Sequence, residues 1–382
     1  MISRKDAGFL RFLALYGAIY GSYGVVSPFL PAFLESRGVA VGEIGIVVGA
    51  GTALRLLASP AAGRLGDRLH SIRTVLASCI ALGAVAAPGY LLADGLAGFL
   101  VVAATLAFTL GPMSALADAL ALESARPRAP QGFEYGHVRG AGSAAFIVGT
   151  LVSGQVVART GLSSIVWMQA ALLACATFAA LRLPEPGARK SVDVPDFGFA
   201  VLRIAAFRRV VLAAALVLGS HAMHDAFAVI RWREAGVGAP AISLLWSEAV
   251  AAEVVMFFFI GPRLAAWLSP AGAIALAAAA GIVRWSVMAS TATPSVIALV
   301  QPLHGLTFAL FHLAAMRLIA RSVPEGGEGT AQALYTIGGG AASALLAFAS
   351  GGLYARLGAG AFWAMALLCL LALPVAAALR KA

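Results

Sequence analysis

The sequence predicts an all-α integral membrane protein of twelve transmembrane helices, arranged as two pseudo-symmetric six-helix bundles. Three observations predict it: a composition unsuited to water, apolar segments of membrane length recurring along the whole chain, and a repeat on either side of a polar midpoint. Of 382 residues, 61% are hydrophobic and 12% charged, where soluble domains carry roughly 25% charged residues. The mean hydropathy is +0.91.

A run of about 20 apolar residues crosses a hydrocarbon core of ~30 Å. In chain order such runs cover 8–34, 40–63, 71–93, 96–122, 133–158 and 162–183, then 207–231, 240–268, 270–291, 294–320, 329–356 and 359–379. The first follows Arg4 and Lys5 directly. It is too long for a signal-peptide core and lacks a small-residue cleavage site, so it is expected to remain. The longest break, 184–206, holds Pro184, Pro186 and Pro195 among polar and charged residues, the composition of a linker. The expected organisation is therefore a bundle over 1–183, a cytoplasmic linker over 184–206 and a second bundle over 207–382.

A shift of 197 residues matches Gly142 with Gly339, Ala144 with Ala341, Ser153 with Ser350, Gly154 with Gly351, Arg159 with Arg356 and Gly161 with Gly358. The fifth and eleventh spans thus read as repeat copies. Six-helix repeats of this kind place a ligand site between the halves.

The formal net charge of +10 is distributed by side rather than clustered. Arg4, Lys5, Arg11, Arg64, Arg68, Arg73, Arg126, Arg128, Arg182, Arg189, Lys190, Arg203, Arg208, Arg209, Arg263, Arg321, Arg380 and Lys381 fall on one side, against Arg37, Arg159, Arg231, Arg233 and Arg356 on the other. Positive loops stay inside, which puts both termini in the cytoplasm and the chain in a bacterial-type inner (plasma) membrane. No aromatic–basic interleaving accompanies these charges, so nucleic acid is not an expected partner. Cys79, Cys175 and Cys369 all lie in apolar spans without metal-ligand spacing and read as packing residues. No metal and no cofactor is expected, no nucleotide-binding loop is present, and no nucleophile–base constellation suggests an enzyme.

Function is read from ionisable groups where lipid allows none. A charge at the bilayer centre costs roughly 2.5–3.5 kcal/mol on the lenient insertion scale, so it survives only facing a partner or a watery cavity. Glu253, Arg284, His304 and His312 sit in three consecutive spans, each within about 6 Å of the midplane at ~1.5 Å rise per residue. They form the expected proton-coupling group, joined by Asp118. Relative movement of Arg284 and Glu253 would load and unload a proton, because a neighbouring cation favours the ionised carboxylate; a static buried ion pair is the other reading of the same two residues. Asp118 and Arg139 fall at similar depths on the fourth and fifth spans and pair either as ligand groups or as a conformational lock, with Glu123 as a rival partner nearer the surface. His221, His224 and Asp225 occupy i, i+3 and i+4 on the seventh span and so share a face. With Tyr20, Tyr23, Arg55, Trp246 and Trp285 they are expected to line the ligand cavity, an aromatic surface with few polar groups. Arg139 and Arg284 are the candidate carboxylate clamps, since a guanidinium offers two parallel donors.

The segment Gly63-Arg64-Leu65-Gly66-Asp67-Arg68 resembles the loop signature of the major facilitator superfamily. The resemblance implies a gating role for Gly63, Gly66, Asp67 and Arg68, with Gly261-Pro262-Arg263 as a degenerate counterpart. More narrowly, Trp232, Leu245-Trp246-Ser247, Ala252-Glu253-Val254, Val283-Arg284-Trp285, His312-Leu313-Ala314-Ala315-Met316-Arg317 and Tyr135-Gly136-His137-Val138-Arg139 are together similar to its phenylpropionate permease branch, related to lactose permease and the nucleoside/proton symporters. The chain departs from the lactose-permease pattern in lacking a carboxylate one turn after its histidine: Ala315 follows His312 and Thr307 follows His304. The resemblance implies a proton-coupled secondary transporter, functional as a monomer, importing a small organic substrate by alternating access. An aromatic or related monocarboxylate is the preferred substrate. A sugar or nucleoside symporter, a proton-antiport efflux pump and a non-transporting membrane sensor stand as alternatives.

Overall fold

Apolar side chains that would be anomalous on a soluble surface cover the outside of the helices. Leu92, Val85, Leu299 and Leu345 are all more than two-thirds exposed, as lipid-facing positions should be. The computed structural model describes residues 4–125, 133–184 and 198–380. Arg126, Arg128, Arg189, Lys190, Lys381, Pro186, Pro195 and most of the expected linker lie outside the described residues.

The helices are α1 Arg4–Val26, α2 Val41–Leu69, α3 Ile72–Leu92, α4 Gly95–Ser124, α5 Tyr135–Thr160, α6 Ser164–Leu181, α7 Ala205–Glu234, α8 Ala239–Leu264, α9 Pro270–Ser290 and α10 Pro294–Ser322. The remaining apolar stretch, Glu328–Leu379, is 52 residues long, more than twice what a ~30 Å core needs. The turn Gly358–Gly360 divides it into α11 Glu328–Leu357 and α12 Ala361–Leu379. The twelve expected spans are therefore present.

By packing, the chain forms two units: Met1–Val39 with Ala50–Ser191, and Ala40–Gly49 with Val192–Ala382. In the first, α1 lies along α5 and α6, and α3 lies on α6 and α4. Gly24 permits the α1–α5 crossing, since a methyl there would fall on the Phe146 carbonyl, and Thr150 Oγ1 donates to the Gly24 carbonyl across it at 2.9 Å. In the second, α12 packs on α9 and α7, α7 on α11, and α8 on α10. The repeat partners Gly161 and Gly358 end α5 and α11 with φ of 85° and 53°. That left-handed region costs glycine least, and it stops a helix.

Two expectations of the sequence change. The first span is not one helix: Pro28 cannot donate and stops α1 at Val26, and a short helix, Leu30–Ser36, continues the path. Gly63 to Arg68 do not form a loop. α2 runs on to Leu69 and turns only at His70, with φ 52°, after which Ser71 caps α3 through the Thr74 amide. The last apolar residue marks where hydrocarbon ends, not where the helix must.

Candidate functional site

Local breaks in α7, α8 and α10 place the polar groups of the second unit. α7 turns at Leu218–Ser220, and Ser220 Oγ donates to the Val217 carbonyl at 2.6 Å while accepting from Trp285 Nε1 at 2.9 Å. His221 and His224 begin the helix beyond this turn. In α10, Pro302 supplies no amide and interrupts the ladder; the tight turn Gln301–Leu303 and the wide π turn Gly305–Leu310 follow, with His304 between them. α8 carries a matching π turn at Met256–Ile260, which begins three residues beyond Glu253. Such turns frequently mark functional positions. α8 and α10 meet closely at Gly305, where a Cβ would stand 2.7 Å from the Ala252 carbonyl oxygen.

Arg284, on α9, stands at the centre with 0% exposure. Its Nη1 donates to His304 Nδ1 at 3.1 Å. Its Nη2 donates to Gln301 Oε1 at 3.1 Å and to His224 Nε2 at 3.5 Å. Gln301 is held in turn by donation from its Nε2 to the Leu245 carbonyl at 3.0 Å, and the guanidinium covers the Trp285 ring at 4.6 Å. Nε is buried and makes no hydrogen bond. Among the described residues no carboxylate lies within ion-pair distance of Arg284. Each imidazole instead passes the contact on: His304 Nε2 lies 3.5 Å from Glu253 Oε2, and His224 Nδ1 lies 3.3 Å from Asp225 Oδ1.

Donor logic fixes the tautomers. A guanidinium N–H only donates, so the imidazole nitrogen that it meets must be the acceptor. A neutral His304 then carries its proton on Nε2, toward Glu253, and a neutral His224 carries its proton on Nδ1, toward Asp225. Glu253 and Arg284, read from sequence as direct partners, are thus linked through His304.

The other predicted residues divide. His221 spends both nitrogens inside the protein, Nδ1 on the Val217 and Leu218 carbonyls at 3.1 Å and Nε2 on Thr307 Oγ1 at 3.0 Å. Trp285 is completely buried with its indole N–H satisfied, and Trp246 stacks on His224 with centroids 4.9 Å apart. These three serve packing around Arg284 rather than forming an open lining. The one-face expectation for His221, His224 and Asp225 therefore resolves into three directions: α10, Arg284, and, for the 59% exposed Asp225 side chain, outward. His312 is partly buried between Phe257 and Tyr335 rings and stands apart from the Arg284 contacts.

In the first unit, Asp118 does not pair with Arg139. It accepts a hydrogen bond from the hydroxyl of Tyr16. Arg139 lies 4.7 Å over the Tyr20 ring, a cation–π contact. Tyr20 stacks on Tyr16 at 5.7 Å and meets Tyr23 edge-on at 6.0 Å, and Tyr23 donates to the Leu110 carbonyl at 3.0 Å. Arg55, Asp67 and Arg68 are exposed and make no side-chain hydrogen bond or ion pair among the described residues. Sequence reasoning missed Gln301, Ser220 and Thr307. It searched for ionisable groups in apolar spans; neutral hydrogen-bonding groups beside a helix-breaking proline, as in Gln301-Pro302, carry the signal for at least one of them.

A chain of apolar helices that encloses such polar groups is a multi-pass membrane protein, and its family and relatives make it a transporter. It belongs to the MFS_1-like family, whose match extends over residues 9–365. It is 33% identical over 369 residues to a protein of Escherichia coli (strain K12) described as a probable 3-phenylpropionic acid transporter, covering 94% of this chain and 95% of that one. It is 25% identical over 365 residues to the maltose permease of Geobacillus stearothermophilus, covering 94% and 91%. Among solved structures, the nucleoside transporter NupG superposes with a TM-score of 0.82 at 16% identity over 97% of this chain and 98% of that one. A D-xylose-proton symporter gives 0.69 at 14% identity over 96% of each. Both structures share the fold.

Proposed function

We propose that this chain imports a small aromatic or related monocarboxylate with protons by alternating access, across an inner membrane with both termini in the cytoplasm. The observation that carries the reading is Arg284, a wholly buried guanidinium held by imidazoles and an amide, with Nε unbonded. A buried charge without a counter-ion is costly. A substrate carboxylate supplies the missing anion through a two-point, charge-assisted contact. The name of the Escherichia coli relative supports the same substrate class.

Proton coupling is assigned to His304 and Glu253. While Nη1 donates to His304 Nδ1, that nitrogen cannot take a proton; once the guanidinium turns to the substrate, it can, and Glu253 stabilises the imidazolium on its other side. Substrate binding and proton binding thereby become favourable together. The test is uptake into proteoliposomes under an inward proton gradient, using 3-phenylpropionate, benzoate, maltose, xylose and a nucleoside. Saturable accumulation of the aromatic carboxylates, collapsed by a protonophore, is expected. Accumulation of a sugar or nucleoside in their place, proton-driven export, or binding without flux would each overturn the reading.

A further inference from the structure

We propose that His224 and Asp225 form a second proton-binding arm, so that two protons enter with each monocarboxylate and transport moves one net positive charge inward. The inference rests on Arg284 being the carboxylate site. It starts from a likeness around that residue: one guanidinium nitrogen holds His304, whose far nitrogen faces Glu253, and the other holds His224, whose far nitrogen faces Asp225. Both imidazoles are thus neutral for one reason, an N–H of Arg284 occupying the lone pair that would receive a proton.

A carboxylate spanning the guanidinium fork takes the N–H groups that now point at the imidazoles. His304 Nδ1 and His224 Nε2 are released together. Each then accepts a proton from water on the open side, forming one N–H bond, and each imidazolium is stabilised by the carboxylate behind it, at 3.5 Å for Glu253 and 3.3 Å for Asp225. The ligand brings one negative charge and the two arms bring two positive ones. The Arg284–His224 contact, at 3.5 Å, is longer than the Arg284–His304 contact, at 3.1 Å, so the second arm is the more easily released. Asp225 is the more exposed of the two carboxylates, 59% against 26% for Glu253, and we place the entry of the second proton on this carboxylate's side.

The charged and titratable groups acting on Asp225 are His221 and His224 of its own helix, Arg284 of α9 and His304 of α10. His221 does not compete for the proton, because its Nδ1 is committed to two backbone carbonyls and its Nε2 meets the Thr307 hydroxyl. Trp246 of α8 stacks on His224 and holds the ring edge toward Arg284 and Asp225.

The experiment measures the steady accumulation ratio of labelled 3-phenylpropionate in proteoliposomes at a fixed pH gradient while valinomycin and potassium set the membrane potential. One net charge per cycle predicts about a tenfold rise in the ratio for each ~59 mV made more negative inside. Asp225→Asn and His224→Gln are expected to keep accumulation driven by the pH gradient but lose its dependence on potential. Two variants are used because His224 is buried and its replacement can affect folding, whereas the Asp225 side chain is exposed. A wild-type ratio independent of potential, or full potential dependence in Asp225→Asn, overturns the second arm. Absence of wild-type uptake, or uptake undiminished in Arg284→Gln, overturns the carboxylate site itself, and the second arm with it.

Discussion

Arg284 costs free energy where it stands, and its neighbours offset only part of that cost. Its hydrogen bonds run to neutral groups, while a charge removed from water needs an opposite charge close by. Replacing Glu253 by Gln leaves the Arg284 contacts in place but removes the group behind His304. The expected result is a lower proton-driven accumulation ratio, because one proton fewer enters per cycle, with substrate exchange retained; a counterflow assay separates the two. Thr307→Val leaves His221 Nε2 facing a methyl in a buried site, which costs about 1–3 kcal/mol and should lower the thermal midpoint of the purified protein while leaving the coupling ratio unchanged. At this scale the sequence singled out Arg284, His304, His224, Glu253 and Asp225, which the structure brings into contact, because lipid makes each of them conspicuous. It could not identify their partners: the depth of a residue along a helix is countable, whereas the direction of its side chain depends on the local turns at Ser220 and Pro302.

Helix irregularity is what turns those residues toward one another. The π turn of α10 begins directly beyond His304 and that of α8 three residues beyond Glu253, and the close approach at Gly305 sets the spacing between the two helices. Gly305→Ala places a methyl 2.7 Å from the Ala252 carbonyl oxygen, overpacking that costs about 1–3 kcal/mol, and is expected to reduce both stability and proton-driven uptake. Gly339, by contrast, has nothing within 4 Å of an added Cβ. Gly339→Ala should be neutral or slightly stabilising by the ordinary helix propensity difference, up to about 1 kcal/mol; a comparison of the two thermal midpoints checks both. Apolar length made each span readable in sequence. The π turns were not readable, because wide and regular turns share the same apolar pattern, and the extension of α2 through Asp67 and Arg68 was hidden because hydropathy reports the bilayer rather than the helix.

Across the whole molecule, the repeat is expressed at particular residues. Gly161 and Gly358 end α5 and α11 with positive φ, Ser153 and Ser350 are both buried and bonded to their own helices, and Arg159 and Arg356 occupy the last turns. The basic residues distributed along alternate loops predict that single cysteines introduced at Arg73 and Arg321 label only from the cytoplasmic side, and one at Arg233 only from outside; the reverse pattern would invert the proposed orientation. The fold was legible because membrane spans and repeats are written in one dimension, while the substrate depends on how one guanidinium is surrounded. The most direct measurement of that claim is equilibrium binding of 3-phenylpropionate and its uncharged amide to purified wild-type protein and to Arg284→Gln, with folding verified by thermal unfolding. The account predicts saturable binding of the acid by wild type, at least tenfold weaker binding of the amide, and loss of that preference in Arg284→Gln. Equal binding of acid and amide by wild type, or an acid preference that survives in the folded variant, would contradict it.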